Sequence, residues 1–321
     1  MSAPNKFVPA SLRALLENAV DYAGLYPPAA LDLQTAFAKY MHHRESPHSW
    51  MLGRFVVGVD KLVELASLVT GRNGSLRPMS LAVVMRASEI AADFGDRFTE
   101  DLQKLREMQS ATDPVLSADA IEVKVPNADP LEWLQGFQLS AIPAVSWLQA
   151  NLFFEVGFVG DWERRMRRLR AEASEAFGRR TGFKVRCGGL NAASFPSALQ
   201  ISEFMAACKN VGGDWKATAG LHHPLPKDDP SMGATMHGFV NLFTAALVHQ
   251  FEKGEGNLER MTEVLEDRDP DSWTFTDEAM SWRDFSVKTS SISTARKHLA
   301  VSFGSCSFDE PTDDLADIGW L

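Results

Sequence analysis

Short apolar segments alternate with longer segments of helical periodicity along almost the whole chain, and this alternation limits the possible folds more than any other feature. The short segments are typical of buried strands, whereas the longer ones carry apolar residues three and four positions apart. Eight strands are predicted, at Asp21–Tyr26, Trp50–Val57, Met79–Met85, Ala120–Val125, Leu152–Phe158, Phe183–Arg186, Asp214–Ala219 and Ser272–Thr276. The segments predicted between and after them as helical are Ala29–Arg44, Asp60–Val69, Ser88–Gln109, Pro130–Phe137, Ala144–Ala150, Asp161–Phe177, Ser197–Asn210, Thr235–Glu252 and Ser290–Val301.

Strands that alternate with helices pair in parallel through crossover connections. About eight such units in 321 residues is the number that a (β/α)8 barrel of the TIM type requires. An open doubly wound sheet shows the same alternation, but it ranks second because no G-x-G-x-x-G motif follows the first strand. We therefore predict a single (β/α)8-barrel domain over residues 1–321, with a lead-in helix within about residues 1–20 and a C-terminal tail over about residues 302–321.

The overall charge and the cysteine content restrict the partners and the compartment. The 42 acidic against 32 basic residues give a net charge of −10, which argues against a nucleic-acid partner. Three scattered cysteines suit a reducing cytosol rather than a disulfide framework. The longest apolar stretch, Phe239–Val248, is too short to span a membrane, and no signal-peptide core precedes it. We expect a cytoplasmic protein without a membrane partner, and a homodimer is the expected assembly.

Charged residues lie near the predicted carboxyl ends of the strands, where the active sites of such barrels are built. The cationic ones at these positions are Arg54, Arg86, Lys124, Arg186 and Lys216. Together with Glu155 inside LFFEVGF they would form a pocket for a small anion, a phosphate or a carboxylate. The alternative is an internal ion-pair network that braces the barrel.

Two glycines extend this predicted anion site. Gly188 and Gly189 follow Arg186 at the end of the sixth predicted strand. Because glycine lacks a Cβ, backbone N–H groups there can approach an anion closely. We therefore assign substrate binding to Arg54, Arg86, Arg186, Gly188 and Gly189.

The seventh predicted strand carries the segment Lys216-Ala217-Thr218-Ala219-Gly220-Leu221, of the form K-x-[ST]-x-G-apolar. This segment resembles the Schiff-base strand of deoxyribose-phosphate aldolase and related class I aldolases, which are (β/α)8 barrels. The resemblance covers these six residues and the predicted architecture, and it implies that Lys216 is the amine that forms an imine. The chain departs from the pattern because Lys216 falls on the seventh strand rather than the sixth, and Arg186 stands where a second lysine would be sought.

Proton transfer is assigned to the residues around this lysine. His222 and His223 follow the strand directly, and either imidazole can act as a general acid or base near neutrality. Glu155 is their carboxylate partner, either relaying protons with Lys216 or pairing with Arg186. No cofactor is implied, although a divalent metal is an alternative, with His237 and either Glu155 or Asp277 added to the two histidines.

Three hypotheses about function follow from these residues. The first is a carbon–carbon lyase of the class I aldolase type, acting through a lysine imine on a small phosphorylated or carboxylated carbonyl compound. The second is a metal-dependent lyase or hydrolase centred on His222 and His223. The third is a non-catalytic barrel that serves as a binding module.

Overall fold

The computed structural model describes residues 8–71, 76–87, 93–126, 147–177, 181–252 and 256–321. Its strands, numbered along the chain, are β1 (Val20–Tyr22), β2 (Leu52–Gly58), β3 (Met79–Val84), β4 (Leu116–Lys124), β5 (Asn151–Glu155), β6 (Thr181–Arg186), β7 (Asp214–Thr218), β8 (Lys227–Asp229), β9 (Ala234–Met236), β10 (Trp273–Phe275), β11 (Ala279–Trp282), β12 (Phe285–Lys288) and β13 (Ala300–Ser305). Strands β1 to β7 and β13 form a closed barrel in which every neighbouring pair is parallel. The prediction of a (β/α)8 barrel is therefore confirmed.

Among the described residues, helices follow the barrel strands β1 to β3, β5 to β7 and β13, as the periodicity of the sequence predicts. The α-helices are α1 (Ala10–Leu16), α2 (Leu33–His43), α3 (Leu62–Thr70), α4 (Phe94–Thr112), α5 (Trp162–Phe177), α6 (Ala198–Asn210), α7 (Phe239–Phe251), α8 (Asn257–Glu266), α9 (Thr289–Ala295) and α10 (Asp309–Asp317). Asp161 caps α5, since its Oδ1 accepts from the backbone N–H of Arg164 at 3.1 Å. Ser197 and Gln200 form a reciprocal capping box on α6.

The eighth barrel strand is not where the sequence predicts it. Ser272–Thr276 does contain a strand, β10, but β10 pairs antiparallel with β11 in a separate three-stranded sheet. The strand that closes the barrel is β13, which lies between β1 and β7. The predicted helix Ser290–Val301 therefore ends early, at Ala295, and the first residues of the predicted tail belong to the barrel.

Several predicted segments fall outside the described residues. Pro130–Phe137 and the first residues of both Ser88–Gln109 and Ala144–Ala150 are among them. In the part of the chain that is described, no helix is both long and apolar enough to cross a membrane. Cys187, Cys208 and Cys306 are all free thiols.

The alternation of side chains along the strands positions the site. Successive residues of a strand point to opposite faces, so every second residue of a barrel strand points into the barrel. One buried cluster, made by four small side chains and one aromatic, belongs to these strands and the end of β1: Ala23, Val56, Ala82, Ala120 and Phe153. A charged residue that lies two positions along the same strand from a member of this cluster has the same orientation and also points inward.

Candidate functional site

A network of two lysines and three carboxylates lies inside the barrel. Its members are Asp21 on β1, Glu122 on β4, Glu155 on β5, Lys184 on β6 and Lys216 on β7, and none is more than 7% exposed. Buried charges are expensive unless they are paired, and here each lysine contacts two carboxylates.

Lys216 is the more deeply buried of the two lysines, with 1% of its surface exposed. Its Nζ donates to Asp21 Oδ2 at 2.6 Å and to Glu122 Oε1 at 2.5 Å. Ser302 on β13 also donates to Asp21 Oδ2, at 2.6 Å. Lys216 is thus held by strands on both sides of the barrel, and its contacts are those of an ion-paired ammonium.

Lys184 lies beside Lys216, because the two residues are register partners on β6 and β7. Its Nζ is 2.7 Å from Glu122 Oε2 and 2.6 Å from Glu155 Oε2. The two oxygens of Glu122 therefore bridge the two lysines. Beyond Glu155, Arg186 Nη1 lies 3.8 Å from the other oxygen of that carboxylate.

The electrostatic balance of the network favours the charged forms of Glu122, Asp21 and Lys184. Burial by itself raises the pKa of Glu122, but the ammonium groups of Lys184 and Lys216 outweigh it and lower the pKa to about 2. Burial also raises the pKa of Asp21, and Lys216 with Arg54 outweighs it, so the pKa is lowered. Burial lowers the pKa of Lys184, yet Glu122 and Glu155 together raise it above the ordinary lysine value.

A cavity of about 550 Å³ opens above the network at the carboxyl ends of the strands. Its charged and ionisable lining residues are Tyr26, Glu122, Lys124, Glu155, Lys184, Arg186, His222, His223, Asp229, Cys306 and Glu310. Of the two buried lysines, Lys184 lines this cavity and Lys216 does not. Lys184 is therefore the lysine of this network that a molecule in the cavity can contact.

Of the three arginines that the sequence assigns to the substrate, the structure brings one to the cavity. Arg186 ends β6 with half of its side chain exposed, and it lines the cavity. Arg54 is four residues before the carboxyl end of β2. At about 3.3 Å per residue, roughly 13 Å of strand separates it from that end. It pairs with Asp21 and with Asp119 toward the amino ends of the strands.

Arg86 also turns away from the cavity. Its Nε donates to Asp101 Oδ1 at 2.6 Å and its Nη2 to Glu100 Oε2 at 2.8 Å, both on α4. Asp101 is fully buried, so Arg86 neutralises a carboxylate between β3 and α4. The three arginines of the predicted anion pocket do not share one site, because Arg54 and Arg86 have carboxylate partners elsewhere.

The two predicted glycines differ in what they do. Gly189 lines the cavity. A Cβ on Gly188 would lie 2.8 Å from the Cα of Gly220, so this glycine lets the loop after β6 pack against the loop after β7. Gly220 itself has φ of +66°, a conformation that favours glycine.

Both predicted histidines line the cavity, and both contact carboxylates of α10. His222 Nδ1 is 3.0 Å from Glu310 Oε2, and His223 Nδ1 is 2.5 Å from Asp314 Oδ2. His222 Nε2 also lies 3.9 Å from the sulfur of Cys306. Burial lowers the pKa of His222, but Cys306 and Glu310 outweigh it, so the pKa is raised.

The residues of the metal hypothesis do not converge. His237 Nε2 contacts the carbonyl of Pro196 at 2.7 Å, and Asp277 accepts from the backbone N–H of Ala10. Among the residues that the structure describes, no group of three or more His, Cys, Asp or Glu side chains is arranged to hold a metal ion. The carboxylates at the centre of the barrel have lysine ammoniums as their partners instead.

Three members of the network were not assigned from the sequence: Lys184, Glu122 and Asp21. A signal for Lys184 exists, since it is two residues before Arg186 in one strand and must share its face. By the same argument Glu122 shares a face with Lys124 on β4. Asp21 starts the first predicted strand, but its pairing with Lys216, 195 residues away, depends on the barrel closing.

Comparisons of the chain with models of protein families and with curated proteins found no significant match.

Proposed function

We propose that this barrel is a lyase of the class I aldolase type, which forms an imine between Lys184 and a small carbonyl substrate. One observation carries the proposal: Lys184 lines the cavity, and its amine lies 2.6 Å from the carboxylate of Glu155, which can take up and return its proton. The sequence resemblance implied Lys216 as the imine-forming residue. Lys184 replaces it in the proposal because Lys216 does not line the cavity.

The carboxylates supply the proton transfers that the reaction needs. Lys184 passes a proton to Glu155, and its neutral amine attacks the carbonyl carbon of the substrate. A proton then moves from this nitrogen to the former carbonyl oxygen, which gives a carbinolamine. Glu155 returns the proton to the carbinolamine hydroxyl, which leaves as water, and an iminium remains. The carbon–carbon bond then breaks as a base removes the proton of the β-hydroxyl, releasing an aldehyde. The electron pair stays on the enamine, which is protonated at carbon and hydrolysed.

Lys216 is a positioning residue in this proposal. Its ammonium shares Glu122 with Lys184 and so takes up part of the negative charge that would otherwise hold the Lys184 proton. A lysine next to another cationic group loses its proton more readily. Asp21 and Ser302 fix Lys216 from β1 and β13.

The substrate class follows from the rim of the cavity. Arg186 and Lys124 are cations among its lining residues, and the exposed half of Arg186 can donate to a phosphate or a carboxylate. A small anionic carbonyl compound would place its charged group against these residues and its carbonyl carbon near Lys184.

A non-catalytic binding module is the second candidate. The observation that favours it is the completeness of the network, since both lysines already have two carboxylate partners each. In that case the charges brace the barrel and the cavity only binds an anion.

Turnover by a lysine variant separates the two candidates. Wild type and Lys184→Arg would be incubated with aldehydes, 2-oxo acids and sugar phosphates, and cleavage or condensation products followed by mass spectrometry. Arginine keeps the positive charge and cannot form the imine. We expect one substrate class to be turned over by wild type and not by Lys184→Arg, with equal circular dichroism. Equal turnover by both proteins contradicts the imine, and no turnover by wild type favours the binding module.

A further inference from the structure

A cysteine, a histidine and a glutamate form a chain of contacts on the wall of the cavity. Cys306 directly follows β13, so it stands at the carboxyl end of the eighth barrel strand. Its sulfur lies 3.9 Å from Nε2 of His222, whose Nδ1 lies 3.0 Å from Oε2 of Glu310. All three residues line the same cavity as Lys184.

This arrangement has the geometry of an activated nucleophile. A thiol, a base within hydrogen-bonding reach and a third group that orients the base are the recurring parts of nucleophilic catalysis. The carboxylate of Glu310 accepts from Nδ1–H, which leaves Nε2 to take the thiol proton. Cys306 and Glu310 together raise the pKa of His222 against the effect of burial, which makes its imidazole a better acceptor for the thiol proton.

The other two cysteines lack these features. Cys187 and Cys208 are fully buried, and burial raises the pKa of the Cys187 thiol to about 12. Cys306 is partly exposed. The chain therefore contains one cysteine in a reactive setting and two internal references in unreactive ones.

We propose that Cys306 is a nucleophilic thiol that binds an aldehyde in the cavity covalently and reversibly, as a thiohemiacetal. In this step the sulfur–carbon bond forms and the π bond of the carbonyl breaks. The thiol proton moves to Nε2 of His222 and from there to the carbonyl oxygen, so no oxidant, reductant or leaving group is needed. The site takes aldehydes with or without the imine chemistry of Lys184.

The reactivity of the thiol is measured by alkylation with iodoacetamide at pH 7, followed by peptide mapping. An ordinary thiol is only a few per cent thiolate at this pH, so activation should be visible as a rate. We expect Cys306 to be alkylated at least about tenfold faster in wild type than in His222→Asn, with Cys187 and Cys208 unlabelled. Glu310→Gln should slow the reaction as well.

A neighbouring carboxylate gives the matched control. Asp309→Asn removes the same charge one residue earlier, from a side chain that faces His43 at 3.6 Å and not His222. This variant should be alkylated at the wild-type rate. Equal rates in wild type and His222→Asn, or an equal loss in Asp309→Asn and Glu310→Gln, would overturn the activation of Cys306.

Protection by an aldehyde tests the covalent adduct itself. Propanal should slow the alkylation of Cys306 both in wild type and in Lys184→Arg, because the thiohemiacetal needs no imine. Protection that disappears in Lys184→Arg would mean that the aldehyde acts through Lys184, and no protection in either protein would mean that Cys306 binds no aldehyde. Loss of protection in Lys184→Arg and absence of protection in both proteins each contradict the proposal. Neither result depends on whether the lyase reaction occurs.

Discussion

Lys184 and Lys216 are register partners on two neighbouring parallel strands, and each donates to a different oxygen of Glu122. Two lysines side by side in a barrel interior repel each other unless a carboxylate lies between them. The two lysines differ in one respect, because Lys184 lines the cavity and Lys216 does not. Of the two ion-paired lysines, Lys184 is therefore the one beside a substrate in the cavity.

Loss of the shared carboxylate should destabilise the fold strongly. Glu122→Gln leaves two buried ammonium groups with one fewer negative charge, and breaking a buried ion pair by removing one partner costs about 3–5 kcal/mol. The free energy of unfolding, measured in urea, should fall by an amount in this range. Glu64→Gln is the control, because Glu64 pairs with Lys61 on the surface with both side chains 54% exposed. Its effect should stay below about 1 kcal/mol, and comparable losses in the two variants would refute a stabilising network.

Acid should weaken the protein in a defined window. The pKa of Glu122 is about 2 in the folded protein, below the ordinary glutamate value of 4.5. A carboxylate with a lowered folded-state pKa contributes stability above its unfolded-state pKa, and this contribution is lost as the pH falls through the folded-state value. The free energy of unfolding should therefore decrease from about pH 4.5 toward pH 2. Urea titrations at several pH values in this window give the free energy of unfolding as a function of pH. This free energy should change less steeply with pH in Glu122→Gln than in wild type. The same dependence on pH in both proteins would contradict the lowered pKa of Glu122.

Removing the fixed ammonium should alter how Lys184 loses its proton. In Lys216→Met the whole charge of Glu122 acts on Lys184, so the neutral amine is reached at a higher pH. The pH profile for trapping propanal with borohydride should shift to higher pH, and Lys216→Arg should restore the wild-type profile because arginine keeps the charge. A purely structural role for Lys216 would lower the yield at every pH and leave the profile in place.

Arg186 should favour anionic over neutral carbonyl compounds. Hydrogen bonds between charged groups contribute about 1.5–3 kcal/mol, which corresponds to roughly a tenfold or larger change in affinity. Arg186→Ala should thus raise the half-saturating concentration of glyoxylate by about tenfold and leave that of propanal unchanged, as measured by borohydride trapping. Arg86→Ala is the matched control, because Arg86 pairs with Asp101 and Glu100 on α4. If Arg186→Ala changes the half-saturating concentrations of glyoxylate and propanal equally, the proposed preference for an anionic substrate is wrong.

The barrel could be predicted from the sequence because alternation is a local signal that recurs in every unit. The last strand could not, since Trp273–Phe275 has the composition of a strand whose partner is only five to nine residues further on. The true eighth strand, Ala300–Ser305, contains two serines and a glycine and gives a weaker local pattern. Which strand closes a barrel is decided by pairing with β1, almost three hundred residues away.

The candidate site could be predicted only in part, because position along a strand is a local signal whereas the partners of a buried charge are not. Arg186, Glu155 and the two histidines were found from their places at strand ends. Arg54 lies late in the second predicted strand, but a strand pattern gives no indication of the Asp21 and Asp119 partners that hold it away from the cavity. Position at the strand end favours Arg186 over Lys184, although the alternation of side chains places both on the inner face of β6.

Locating an imine by mass spectrometry tests the central claim most directly. The wild-type protein would be incubated with propanal, glyoxylate and a panel of sugar phosphates, reduced with borohydride, digested, and searched for the added mass. We predict a stable adduct on Lys184, absent from Lys184→Arg and absent from the peptide that contains Lys216. An adduct on Lys216, or no adduct on any lysine of the folded protein, would contradict the account.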